Sequence, residues 1–457
     1  MPARGIDLRH LTQTVEITMT NSARSAAHPN DRRQFLKGAI AGATGLSAML
    51  AARRAPAQPK GGVLRILQWS HFVPAYDVWF DKFVKDWGAK SGVQVRVDRI
   101  PHLELPSRIA AEFAAGSGHD LIYFVGTILT GLYYKNLVDL SDVVDKIGGK
   151  WGGWLPSAEP IARVEGRWYA LPDFYIVAPM LWRRDLFEQE RLAPPDTWEQ
   201  ARVAARTLKA KGHPTGIAFS HCNDANLFLR AILFSHGARE ADASGNILLD
   251  SKEMREGLKF LKALFDEGMT PEVFSWDDAS DNRFLASGIA GWIHDAISAY
   301  RTTESTNPTV FKNTYVGLEP AGPSGKRVHC VAPIVFLSWK FSKNPQAVKE
   351  YLAALGDADK DGMIASTGYN MPFLNDNAKK PMPILGADPK LQVLQDFPKI
   401  VAFFGYPGPY TPQIQEVGLQ FVLPDIFTRV ARGQSVDDSV KWGVGEYRRI
   451  FSKHKKA

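Results

Sequence analysis

The stretch between residues 63 and 125 constrains this chain more than any other. Residues 63–69 (Val-Leu-Arg-Ile-Leu-Gln-Trp) read as a strand, and residues 77–90 place Trp79, Phe80, Phe83, Val84 and Trp87 at helical intervals. Residues 93–100 alternate as a second strand. Residues 105–115 form another helix, stopped by Gly116-Ser117-Gly118, and residues 120–125 are a third strand. Strands joined by helices of this length cannot be hairpin partners, so they predict βαβ units and a parallel sheet. Ligands of open α/β sheets bind beyond the carboxyl ends of strands. Trp69-Ser70-His71 and Gly126-Thr127 are therefore candidate cleft residues on topology alone.

A second run of structure starts at Gly166-Arg167-Trp168-Tyr169-Ala170-Leu171-Pro172 and continues as an apolar strand over 175–182. Thr197 is placed to cap a helix over 198–211, with Gln200 as its capping-box partner and Gly212 as the stop. A short strand over 216–220, a polar loop at His221-Cys222-Asn223-Asp224, and helices near 226–235 and 251–267 follow. Buried strands are expected at 289–295 and 331–340, and helices near 345–355 and 434–453. No fixed-period repeat or low-complexity tract occurs after residue 58.

The formal charge of +7 suggests nucleic acid until it is located. Residues 1–57 hold eight Lys/Arg and three Asp/Glu, which leaves 47 basic and 45 acidic side chains for the other 400 residues. The body is nearly neutral, and nucleic-acid binding is set aside. The basic segment reads as a signal peptide: Asp31-Arg32-Arg33-Gln34-Phe35-Leu36-Lys37, an apolar stretch from Gly38 to Ala52, then Arg53-Arg54 and Ala55-Pro56-Ala57 before Gln58. Its paired arginines resemble a twin-arginine export signal, with Asp31 in place of the usual hydroxyl residue. Met19 would open a leader of more usual length. The leader holds no cysteine to accept a lipid, so the expected product is periplasmic and unanchored. Cys222 and Cys330 alone remain, and two separate buried thiols are expected.

Recognised catalytic motifs are missing: no G-x-S-x-G, H-E-x-x-H or G-x-G-x-x-G occurs. Gly322-Pro323-Ser324-Gly325-Lys326 has the wrong spacing for a phosphate loop. His221-Cys222 are sequence neighbours that point apart, and Asp277-Asp278 reads as a solvated charge pair without the partner a glycosidase needs. No cofactor or metal set is expected, and the chain is not expected to be an enzyme. The twelve tryptophans are more informative. Trp69, Trp276 and Trp292 interrupt polar segments, beside Ser70-His71, Asp277-Asp278 and His294-Asp295 respectively. Flat aromatics cover the C–H faces of a sugar while Asp, Asn and His take its hydroxyls.

Taken in order, these segments resemble the family 1 extracellular solute-binding proteins of ABC importers. The opening strand-helix-strand, Gly118-His119-Asp120-Leu121-Ile122, Gly166 to Pro172 and Pro195-Asp196-Thr197-Trp198-Glu199 carry the resemblance. So do Phe284-Leu285-Ala286-Ser287-Gly288-Ile289-Ala290, the helical tail, and Trp69-Ser70-His71-Phe72-Val73-Pro74. It implies an α/β, two-lobed periplasmic-binding-protein fold with a ligand cleft between lobes joined by a hinge. By analogy, lobe 1 comprises 58–175 and 312–341, and lobe 2 comprises 176–311 and 342–457. Cys222 and Cys330 then fall in different lobes, where a bond would staple the cleft shut. The ligand-binding residues expected are Trp69, Ser70, His71, Thr127, Tyr175, Trp276, Trp292, His294, Asp295 and Tyr369, with Asp173 touching ligand or linker at the hinge. The implied protein is a monomer that closes on a small polar solute, a sugar by its aromatic cleft, and docks on ABC permease subunits. An exported carbohydrate-active hydrolase is the rival from another class. A polyamine or phosphoester receptor of the same fold would instead show several cleft carboxylates or cleft cations.

Overall fold

The computed structural model describes residues 62–454. The leader assigned to residues 1–57, with its arginine pair and cleavage site, lies outside the described residues. Among those described, no helix is long and apolar enough to cross a membrane.

Two sheets organise the chain. The larger has six strands: β1 (Val63–Trp69), β2 (Gln94–Ile100), β3 (Leu121–Val125), β4 (Ala170–Ile176), β8 (Ala332–Ser338) and β9 (Met371–Pro372). Their order across the sheet is β9-β4-β8-β3-β1-β2. The smaller has three: β5 (Met180–Arg183), β6 (Trp292–His294) and β7 (Thr314–Gly317), with β5 in the middle. The opening reads as expected. β1 pairs in parallel with β2 and β3, and the helices Pro74–Ser91 and Leu105–Ala115 connect them. Each helix ends on a glycine in the left-handed region, Gly92 and Gly116. β8 runs antiparallel to both β3 and β4, so the sheet is mixed rather than wholly parallel. β1 buries Leu64 and Ile66 completely, and every residue of β3 is buried.

The apolar run 175–182, expected as one strand, is two. β4 stops at Ile176, and β5 starts at Met180 in the other sheet. Pro179 lacks the N–H a ladder needs, so residues 177–179 form the first connection between sheets. Strand pairing also crosses the lobe division drawn from the sequence. β7 belongs to the smaller sheet, whereas β9 pairs with β4 in the larger one and the Pro345–Asp357 helix packs on Ser141–Lys150 beside it. Residues 216–220 are no strand; only Gly216 bridges Ile293, and Trp276 packs so closely on that glycine that a Cβ would clash. Residues 289–295 keep three strand residues. The capping box holds as expected, with Thr197 Oγ1 accepting from the Gln200 N–H at 3.2 Å and Gln200 Oε1 accepting from the Thr197 N–H at 3.0 Å. Cys222 and Cys330 are buried free thiols. Asp173 lies inside β4 and accepts a hydrogen bond from Tyr123 Oη at 2.8 Å. It therefore contributes to the sheet's interior and lines no cleft.

Candidate functional site

The carboxyl ends of β1, β3 and β4 and the amino end of β8 open on one narrow cavity. Trp69, Phe72, Gly126, Ile176, Cys330, Ala332 and Tyr369 line it from the larger sheet. Asn223, Asp224, Phe228, Asp278, Asp295 and Ser298 line it from the side of the smaller sheet, mostly at the first turns of the helices Asn223–Ser235 and Ile297–Thr306. The cavity volume is about 30 Å³, room for a water or two. The two sides are drawn together, and a monosaccharide fits only after they part. Gly126 explains how they meet so closely. Its φ is +94°, and a Cβ there would lie 2.7 Å from the Asn223 amide nitrogen.

Aromatic and acidic groups divide the lining between them. Trp69, 1 % exposed, packs edge-on to Phe72 at 5.5 Å and lies 6.5 Å from Tyr369. Its Nε1–H has no acceptor among the described residues. The acidic group gathers Asp224, Asp278, Asp281 and Asp295. One oxygen of three of them serves a backbone N–H: Asp278 Oδ1 takes Asp224 N at 2.9 Å, Asp281 Oδ1 takes Asn282 N at 3.1 Å, and Asp295 Oδ1 takes Ala296 N at 2.6 Å. Those N–H groups sit at helix starts, whose dipoles favour negative charge. Asp278 also pairs with His102 Nε2. The remaining oxygens have no such anchor. No donor among the described residues reaches Oδ2 of Asp224, Asp281 or Asp295, and ligand atoms of these three lie within 4.8 Å of one another.

Crowding raises their proton affinity. Burial, then Asp278, pushes the Asp281 carboxyl up to about 8. Burial, then the neighbouring carboxylates, raises Asp224 and Asp295. The same four carboxyls add to burial in raising the Tyr369 phenol.

A second ionisable cluster, His294, Glu319 and His329, is fully buried beside the first connection. The Ala178 N–H donates to His329 Nε2 at 3.2 Å, which places that ring's proton on Nδ1, 2.9 Å from Glu319 Oε2. His294 Nε2 lies 3.0 Å from the same oxygen. Burial lowers His329 despite the Glu319 hydrogen bond that opposes it. With the His329 lone pair turned to the backbone, this cluster ties residue 178 to the returning chain and does not offer both imidazoles to a metal.

Of the ten expected ligand residues, the cavity brings together Trp69, Asp295 and Tyr369. Ser70 is exposed. His71 is buried against Tyr76 and bonded to Asn370, with its pKa lowered to about 4 by burial. Thr127 packs against Gly418, and Tyr175 packs on Phe373. Trp276 packs on Phe284. Trp292 and His294 are wholly buried in β6, His294 in the Glu319 cluster. Phe72, His102, Asn223, Asp224, Asp278 and Ser298 line the cavity without having been singled out. Asp278, read as solvated, is 4 % exposed, while Asp277 is the exposed member and pairs with Arg283. Asn223-Asp224, read as a loop, open a helix. Gly126 was a topological candidate and does line the cavity.

The model of the bacterial extracellular solute-binding protein family matches residues 74–361. Among solved structures, the maltose-bound MalE3 of T. maritima is similar at 19% identity and a TM-score of 0.75, covering 85% of this chain and 99% of that one. A sugar transporter protein from Arthrobacter chlorophenolicus A6, with bound laminaribiose, is similar at 17% identity and a TM-score of 0.74, covering 86% and 99%. A solute-binding protein from Agrobacterium vitis S4, with bound D-mannitol, is similar at 21% identity and a TM-score of 0.68, covering 86% and 99%. The shared architecture is the two-lobed periplasmic-binding-protein fold.

Proposed function

The chain belongs to the bacterial extracellular solute-binding protein family, and from that premise we propose that it is the receptor of an ABC importer that closes two lobes on a small polyhydroxylated solute. The observation that carries the proposal is the cavity between the two sheets, where Trp69, Phe72 and Tyr369 supply apolar faces and Asp224 and Asp295 supply unused acceptors. Sugar hydroxyls donate to such acceptors while C–H faces cover aromatic rings. The sugar and polyol ligands of the similar structures support this choice of class.

The mechanism follows from the cavity's size. At about 30 Å³ the two sides already touch, so an open form must admit the solute and contacts from both sides then favour closure. We place the lobes at 62–176 with 332–378, and at 180–317 with 383–454, following the strand pairings and helix packing. The connections are then 177–179, 318–331 and 379–382. The closed form is the one read by the permease, and the protein binds its solute without transforming it. Export to the periplasm by the twin-arginine route is proposed from Arg32-Arg33 through Ala57.

A thermal-shift screen over neutral sugars, polyols, phosphosugars and amines tests the proposal. A matching solute at about 100 times its Kd stabilises by about 2.7 kcal/mol, which reads as an upward shift of a few degrees. The solute should be recovered chemically unchanged. Turnover of a glycoside, or binding that leaves the scattering profile of the open form unaltered, would overturn the reading.

A further inference from the structure

We infer that the solute carries a protonated amine: the cavity is built for an amino sugar or amino polyol, its ammonium held by Asp224 and Asp295, which line it, with Asp281 next to them. The inference rests on the receptor reading above and names the substrate class of that same cavity. Helix starts account for one oxygen of Asp281 and of Asp295, but not for the gathering of three carboxyl groups within 4.8 Å. Oδ2 of Asp224, of Asp281 and of Asp295 is without a donor among the described residues. The lining contains no Lys or Arg; His102, already paired with Asp278, is the one basic side chain. Neutral hydroxyls would satisfy the oxygens one at a time, yet leave carboxylates facing one another within 4.8 Å. An ammonium group has several donors and one positive charge, so it bonds both lining carboxyls at once and offsets the repulsion within the cluster.

A second, independent group points to the rest of the ligand. Trp69 is 1 % exposed, lines the same cavity, and its Nε1–H has no acceptor. A bare cation cannot supply one, whereas a hydroxyl oxygen of an amino sugar can. The indole and the Phe72 ring then cover the carbon skeleton, and their faces favour a nearby cation.

The charge accounting gives a signature. Burial and mutual repulsion raise Asp224, Asp281 and Asp295 while no cation is present, and Asp277, Asp278, His102 and Tyr369 are the other titratable groups facing them. When the ammonium enters, protons held by these carboxyls leave to solvent as H⁺, and the carboxylates accept N–H bonds. Binding of an amine should therefore release protons to the buffer.

Calorimetric titration of the mature protein in two buffers of different ionisation enthalpy tests this. The probes are glucose, glucosamine and N-acetylglucosamine, with the galactose set, spermidine and calcium chloride as further arms. The result expected is an amino sugar at least tenfold tighter than its neutral parent, with the gain lost on N-acetylation and proton release for the amine alone. A neutral sugar binding as tightly as its amino form would overturn the inference and leave the receptor reading intact. Binding of spermidine or calcium with no amino sugar bound would overturn it in favour of another cation. If nothing in this panel binds while a neutral solute of the wider screen does, the inference falls and the receptor reading stands.

Discussion

Two of the buried carboxylate groupings in this molecule are built in opposite ways. Glu240 is wholly buried, yet each of its oxygens has a donor. Arg230 Nε lies 3.0 Å from Oε1, the Tyr447 hydroxyl donates to the same oxygen, and the Gly405 N–H donates to Oε2. Arg230 in turn donates to Asn226 O and Oδ1 at 2.9 and 2.8 Å and covers Phe404. The pair ties the Asn223–Ser235 helix to the last helix, Val436–His454. Asp281 and Asp295 are as deeply placed and Asp224 is half-buried, but the three gather together and leave oxygens unused. A charge set closed on itself holds the fold. One left open holds it less well and awaits a partner from outside.

The largest effect should come from breaking the closed set. Glu240→Ala leaves Arg230 buried and unpaired, and urea unfolding should show a loss of about 3–5 kcal/mol. Solute affinity should stay unchanged at temperatures where the variant is folded. A loss below about 1 kcal/mol would mean that the pair does not anchor the terminal helix.

Gly126→Ala acts on the cleft. The added Cβ lies 2.7 Å from the Asn223 amide at a φ of +94°, so closure should cost about 1–3 kcal/mol. Calorimetry should read this as weaker binding, with a smaller change in resistance to urea. Equal affinity would show that the two sides need not meet there.

The smallest effect is a slope. Carboxyls whose folded pKa exceeds the unfolded value of about 4 hold protons that the unfolded chain has lost. They therefore favour the folded state least as pH rises from about 4 toward 8, the value reached by Asp281. Unfolding free energies at pH 5 and pH 8 should differ less in Asp281→Asn than in the wild type. An identical difference would show that the cavity carboxyls ionise normally.

The sequence made the strand ends legible and the cavity only partly so, for one physical reason. Period-2 and period-3.6 patterns report which face of an element is buried, and so β1, β3 and their helices were placed within two or three residues. Topology then brought Trp69 and Gly126 to the cavity edge. Burial of polar groups leaves no such period. Asp278 looks like its exposed neighbour Asp277, and Asn223-Asp224 look like a loop, until the fold packs them beneath His102 and Gly126. Trp292 and His294 carried a ligand-like composition, but β6 turns them into the core. The change of sheet at 177–179 was hidden because Val177 and Ala178 are as apolar as the strands on either side.

Asp295→Asn tests the central claim most directly. The amide keeps the Oδ1 that accepts from Ala296 and removes one of the opposed charges. Titration of the tightest solute from the screen should show at least about a tenfold loss of affinity, the worth of a charge-assisted hydrogen bond. Resistance to urea at pH 8 should hold or rise. Unchanged affinity, or a collapse of stability like that expected of Glu240→Ala, would contradict the account.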